Sequence, residues 1–264
     1  MPSSDQQLRE LQRAFDATLD LALLDPLLEG YRRVGLMPPA RVLVRRPRWR
    51  PLAEFVETFY EEPLSEESGC SEAEIQATEQ RLGVRLPCAL REWYFLVGHR
   101  LRDVGQDVPT SLSQLRVEDD AVTVWIENQG VWSVSVSANG TQEDPAVRVD
   151  EDFASMGPLS EALRGLLLSD TLTGASQGQG LGPLGALAPA VTGGWHESIA
   201  DWEGARARYP ARAEPPIPTF AGHPYRGNRE VVLRAEDGGT FLLWAAATEP
   251  ARQELLPYLV GPLS

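Results

Sequence analysis

The stretch from residue 71 to 98, SEAEIQATEQRLGVRLPCALREWYFLVG, constrains this chain more than any other. It reads as two short helices joined by a tight corner. Ser71 and Glu74 have capping-box spacing, in which each side chain takes an orphan amide of the first turn. Cys70 before the cap and Ile75 one turn in are placed to staple the helix start. Gly83 falls where a left-handed residue stops a helix. Pro87 stands where the first position of a second helix tolerates a missing N–H. Leu90, Trp93, Tyr94 and Val97 follow at i, i+3, i+4 and i+7, a stripe to be buried, and Gly98 ends it.

Before this corner, Leu8, Leu11, Phe15 and Leu19 predict a helix over 4–24, capped by Ser4 or Asp5, and Pro26 to Gly35 a shorter one. Val42–Val44 is a short strand candidate, and Leu52, Phe55, Val56 and Phe59 mark a further helix. The acidic piece 61–69 reads as a linker. After the corner, Leu112–Val117 is a weak strand or turn. In 121–136, Val122, Val124 and Ile126 alternate with Thr123, Trp125 and Glu127, and Val131, Ser133 and Ser135 alternate with Trp132, Val134 and Val136. That is a hairpin with a buried face on each strand, turning at Asn128–Gln129–Gly130. Asn139–Gly140 signals a second tight turn, Val147–Val149 a strand, and Leu159–Leu168 an amphipathic helix. Residues 174–194, rich in Gly, Pro and Ala without periodicity, read as a loop or mobile linker. A short helix is expected over 196–207 and extended chain over 209–224. A second hairpin is expected around Asp237–Gly238–Gly239, then a closing helix over 247–260 whose last turn Pro257 threatens.

Charge sorts the possible partners. The net charge is −14, and residues 61–170 hold 21 acidic residues against 8 arginines. A field of that sign repels nucleic acid and anionic membrane and steers basic partners; solubility is the alternative reading. Every basic residue except the histidines is Arg. Arg41, Arg45, Arg46, Arg48 and Arg50 cluster around Trp49, a pattern compatible with nucleic-acid contact, although pairing with the chain's own carboxylates is the reading its acidity favours. Two cysteines, Cys70 and Cys88, are too few for a disulfide framework. Neither a secretory signal nor a membrane-length apolar run is evident, so the expected location is the cytoplasm.

No motif carries chemistry. His99, His196 and His223 lack ligand spacing to one another or to a cysteine. Gly178–Gly182 has no preceding strand and is followed by Pro183, so it fails the context of a phosphate loop. No nucleophile stands beside an evident base. The runs Glu118–Asp119–Asp120 and Asp150–Glu151–Asp152 read first as solvated turns. Trp125, Trp132 and Trp244 read first as core, although an exposed Trp beside acidic loops would suit a binding anchor.

Together, Ile75, Glu79, Leu82, Gly83, Leu86, Pro87, Leu90, Trp93, Tyr94 and Gly98, the run WIENQGVWSVSV from Trp125 to Val136, and Asp144–Pro145 before Val147–Val149 resemble the SUKH superfamily. That family includes fungal cell-wall regulators of the Smi/Knr type and many bacterial immunity proteins. The resemblance covers about 71–170; where the family often has Asn–Gly–Gly after the second helix, this chain has Gly98–His99–Arg100. It implies an α+β fold, a mixed, mainly antiparallel sheet with helices packed against it. It also implies a non-catalytic role without cofactor or metal, as an immunity protein or antitoxin neutralising a basic toxin, often a nuclease. The expected organisation is a helical flank at 1–60, the SUKH-like domain at 61–170, a Gly-rich linker at 171–194, and an extension at 195–264 with hairpin and helix that could complete the same domain. The expected partner contacts are the acids at 61–67, Glu118, Asp119, Asp120, Glu127, Asn128, Glu143, Asp144, Asp150, Glu151 and Asp152, with Trp125 or Trp132 as anchors if exposed. A cytosolic scaffold of the same fold and an enzyme with a site near His196 or His223 are the alternatives. The sequence specifies no oligomeric state.

Overall fold

The structure, a computed structural model, describes residues 4–103, 107–149, 157–197, 199–212, 225–236 and 241–259. Two helices, α1 (Ser4–Thr18) and α2 (Leu24–Val34), form a hairpin whose Leu8, Phe15, Leu24 and Leu27 bury one another with Val42. Gly35, at φ +75°, closes α2. The candidate strand at 42–44 is instead helix α3 (Ala40–Leu43), capped by Pro39. Its β-branched run is too short to decide the backbone, and the turn buries Val42 and Leu43 completely, in different clusters. Helix α4 (Arg50–Phe59) follows as expected.

The corner forms as the sequence predicts. In α5 (Glu72–Leu82) the Ser71–Glu74 capping box is complete, and Gly83 at φ +69° ends the helix. Helix α6 (Cys88–Val97) starts one residue later than expected, with Pro87 outside it as the cap. Gly98 does not end α6 through a left-handed backbone, since its φ is −55°. It is needed for space: a Cβ there would lie 2.4 Å from Cys70 Sγ and 2.5 Å from the Tyr94 carbonyl oxygen.

The first sheet comprises β1 (Asp107–Pro109), β2 (Val117–Glu118), β3 (Ala121–Glu127), β4 (Ser133–Ser137) and β5 (Arg148–Val149). Its order is β1-β3-β4-β5, with β2 also on β3, and every pairing is antiparallel. The expected alternation fails half-way along β3. A bulge between Thr123 and Trp125 makes Val122, Val124 and Trp125 the buried set and turns Ile126 outward. Asn139–Gly140 makes no two-residue hairpin; the chain takes a longer path from β4 to β5, and Gly140 sits where a Cβ would meet the Arg85 carbonyl oxygen at 2.2 Å.

Helix α7 (Leu159–Ser176) is longer than predicted and buried on nearly all sides, so it carries no amphipathic period. It continues into the stretch expected to be a linker. There β6 (Leu181–Gly182), β7 (Gly185–Ala186) and β8 (Thr192–His196) follow, and Leu172, Ala175, Leu184 and Leu187 join the main core. The glycines serve two needs: a Cβ on Gly174 would sit 2.0 Å from the Leu181 carbonyl oxygen, whereas Gly178, Gly180 and Gly185 take positive φ in open space. The second sheet has the order β8-β11-β10-β9, from β9 (Arg226–Gly227), β10 (Val231–Glu236) and β11 (Phe241–Ala246). One face, with Val232 and Ala245, packs into the core that α7 shares; the other, with Leu233, Leu242 and Trp244, is covered by Leu255 and Leu259 of α9 (Glu249–Leu259). Pro257 lies inside α9 without ending it. The helix expected over 196–207 is shorter, α8 (Trp202–Arg208), capped by Asp201, because His196 belongs to β8. The fold is α+β, as expected. Its main core draws residues from Ala40 to Ala247, so neither the 60/61 nor the 170/171 boundary divides it.

Candidate functional site

An exposed acidic feature is the connection between β2 and β3. Glu118 pairs with Ala121, so the loop is only Asp119–Asp120, with φ +47° and +58°. Two successive positive φ values are the signature of a type I′ hairpin turn, which Asp tolerates through its short polar side chain. The amide of Ala138 donates to the Asp120 carbonyl oxygen at 2.8 Å and ties the turn to the end of β4. Glu118, Asp119 and Asp120 all face solvent, and none forms an ion pair among the described residues. Three consecutive carboxylates are thus held on a short, defined turn with no internal cation.

The other expected contact residues do not join them. Trp125 is 0% exposed and Trp132 3%, so neither is a surface anchor; the bulge that buries Trp125 is the reason for one, and the inward phase of β4 for the other. Glu127 Oε2 accepts from the amides of Gln129 (2.8 Å) and Val131 (3.1 Å), and Gly130 takes φ +71°. Glu127 therefore builds the β3–β4 turn, with Asn128 exposed at its tip. Asp144 accepts from the amide and hydroxyl of Ser160 at 2.9 and 2.6 Å, capping α7 from another segment. Of the acids in 61–67, Glu66 accepts from the Ala40 amide and pairs with Arg41. Asp150, Glu151 and Asp152 lie outside the described residues. A seven-residue strand separates the Asp119–Asp120 turn from Asn128 by roughly 20 Å, so they form two features rather than one patch.

Glu143 is taken up by the arginine cluster. Its Oε1 lies 2.6 Å from Arg46 and 3.0 Å from Arg48. Both guanidinium groups also pair with Glu92, which is only 2% exposed; Arg48 Nε is 2.8 Å from its Oε2, and the Trp49 indole N–H donates to the same oxygen at 2.6 Å. Burial works against the charge on Arg46 and Arg48, but the adjacent carboxylates outweigh it and hold both pKa values above the ordinary arginine range. Arg41 pairs with Asp16 and Glu66, and Arg50 with Glu54. Four arginines of the basic run thus pair with the chain's own acids, and Arg45, which is exposed, does not among the described residues. Beside the cluster lies a cleft of about 420 Å³ between α2, the corner and the 140–143 loop, lined by Leu28, Met37, Arg85, Arg91, Cys88 and Glu143. Burial, then Glu92, pushes the Cys88 thiol up, which keeps it protonated and a poor nucleophile.

His99 lies 3.2 Å from Glu74, His196 is half-buried on β8, and His223 is outside the described residues. Among the described residues no three metal-capable side chains come together. The carboxyls raised above their usual range are Asp107 and Asp170, which sequence reasoning missed because β1 has too short a pattern to detect. They lie with Arg234 on the α7 side of the second sheet. Register places His196 with Leu242 and Ala235 on the opposite face. No family model matches the chain, and no curated protein or solved structure is significantly similar to it. No helix among the described residues is long and apolar enough to cross a membrane.

Proposed function

We propose that this chain is a non-catalytic, cytoplasmic protein-binding domain that neutralises a basic toxin, and that the Glu118–Asp119–Asp120 turn is a fixed part of its contact surface. The SUKH-like corner and hairpin motifs suggest the functional class. The observation that carries the reading is the turn itself: three carboxylates without internal cations, in a backbone conformation that costs little further ordering on binding. Acids of this kind raise the association rate with a basic partner and make it salt-dependent.

The reading predicts a toxin gene beside this chain's own, and the test is co-expression with that toxin, using the paired change Asp119→Asn and Asp120→Gly. Asn–Gly is the preferred type I′ pair, so the change removes two charges and keeps the turn. Slower association, weaker salt dependence and reduced rescue of growth are expected, with thermal stability retained. Unchanged rescue and unchanged salt dependence would remove the turn from the contact surface. A gene without a toxin neighbour, whose product instead captures a stoichiometric cellular partner through the same turn, would favour the scaffold reading.

A further inference from the structure

Among the described residues, three of the buried polar atoms without a hydrogen-bond partner belong to a pair of aspartates. Asp107, on β1 of the first sheet, is 3% exposed, and Asp170, on α7, is 1% exposed. The two carboxyl groups lie close enough to act on each other. Yet Asp107 Oδ1 and both oxygens of Asp170 find no donor on any other described group. Two carboxylates hold no hydrogen between them, so such a buried pair can satisfy its oxygens with each other only if one of them is protonated. Arg234, on β10 of the second sheet, is 3% exposed and stands alongside, and it donates to Ser169 Oγ. Three groups from three elements therefore meet where α7 is wedged between the two sheets.

Charge counting points the same way. With both acids ionised, the cluster would bury two negative charges against one guanidinium, and burying an uncompensated charge is far costlier than losing a hydrogen bond. With one proton between them, the pair carries a single negative charge and Arg234 balances it. Among the described residues the surroundings add no second cation: Glu127 faces Asp107 across the β1–β3 register, Asp103 lies on the chain before β1, and Tyr60 and Tyr225 are further titratable neighbours.

We propose that Asp107 and Asp170 share one proton in the folded chain, and that this neutral Asp–Asp–Arg cluster is a pH-set clasp holding β1, α7 and β10 together. Burial is the main cause that raises both carboxyls. The sign follows from linkage. A carboxyl whose folded pKa lies above its unfolded value contributes stability that is complete below the ordinary carboxylate range and declines as pH rises through the folded pKa. The clasp is therefore closed in acid and loosens towards alkaline pH, opposite to the acids elsewhere in the chain that are held ionised by their partners.

Infrared spectroscopy of the full chain tests this directly. At neutral pH every solvent-exposed carboxyl is ionised, so the C=O stretch of a protonated carboxylic acid reports the buried proton. The band is expected in the wild type, lost in Asp170→Asn and in Asp107→Asn, and lost from the wild type on raising the pH. Its absence from the wild type at neutral pH would overturn the proposal. Asn at position 170 mimics the neutral acid, so Asp170→Asn is also expected to flatten the fall in stability above the ordinary carboxylate range. A slope equal to that of the wild type would overturn the clasp. Should the variants fail to fold, proton release on unfolding the wild type just above that range replaces them: a release of about one proton beyond that of the histidines supports the proposal, and none overturns it.

Discussion

Glu92 gives the sharpest test of how this chain uses its charges. Its carboxylate is 2% exposed and receives Arg46 on Oε1 and both Arg48 and the Trp49 indole on Oε2. Replacing it with Gln keeps the shape but leaves one carbonyl oxygen for two sets of donors, and turns an amide NH2 towards the other set. The two guanidinium groups, each mostly buried, then rely on Glu143 alone. Removing one partner of such a buried network costs about 3–5 kcal/mol, which for a chain of this size is a fall in melting temperature of about 6–20 °C. Glu143→Gln is the control. It touches the same two arginines, but its side chain is 50% exposed, so solvent screening limits its loss to about 0–1 kcal/mol. Thermal and urea unfolding of the two variants measure the difference. If Glu143→Gln cost as much as Glu92→Gln, or if Glu92→Gln stayed within about 0.5 kcal/mol of wild type, the ion cluster would not be the keystone inferred here.

At the capping box, Ser71→Ala is expected to cost about 1 kcal/mol at neutral pH. Glu74 is held near a pKa of about 2 by the Ser71 hydroxyl and amide and by His99, so its contribution is present above the ordinary carboxylate range and lost as pH falls towards that value. The stability gap to Glu74→Gln should close in acid, and a gap independent of pH would contradict the assignment. Gly98→Ala, whose methyl would meet Cys70 Sγ and the Tyr94 carbonyl, should cost about 1–3 kcal/mol and be partly relieved by Cys70→Ala. Gly83→Ala meets no atom within 4 Å and should show only left-handed strain of about 1–2 kcal/mol, unaffected by Cys70→Ala. On β3, Trp125→Ala should cost about 3–5 kcal/mol and Ile126→Thr should lie within about 0.5 kcal/mol of wild type; equal losses in urea unfolding would place the bulge elsewhere.

The sequence disclosed what local rules determine. The corner was legible because its signals, Ser71–Glu74, Gly83 and the Leu90–Val97 stripe, act within a few residues of themselves. The first hairpin was legible from alternation, and the second from its Asp237–Gly238–Gly239 turn signal, residues that lie outside the described ones. Helix α7 was misjudged because a helix buried on all sides has no apolar face to read, and its C-terminal half ran into a Gly-rich tract that looks like a linker. In that tract the glycines mark close approach, as at Gly174 and Gly193, or left-handed turns, as at Gly178 and Gly180, which composition cannot distinguish from looseness. The bulge at Thr123–Trp125 changed the fate of Trp125 and Ile126 by one residue of register, a shift that alternation alone cannot show. The acids divided in a way that spacing could not foresee. Glu92 and Glu143 meet arginines more than 40 residues away, and Asp107 meets Asp170 only through packing.

The same contacts decide what the N-terminal flank is for. Taken alone, residues 1–60 looked like an attachment to an acidic domain. Arg46 and Arg48 nevertheless supply the counter-charge for Glu92, and Leu43, Trp49, Leu52, Phe55 and Phe59 lie in the same core as the corner and the first sheet. A chain starting at residue 61 would bury Glu92 without its arginines and expose those aromatic contacts to water, each loss being several kcal/mol. Against a total stability of about 5–15 kcal/mol, the remainder would not fold as a unit. The central acidity thus has two parts. One part is neutralised inside by the flank and is structural. The other includes the Asp119–Asp120 turn, whose carboxylates meet no cation among the described residues.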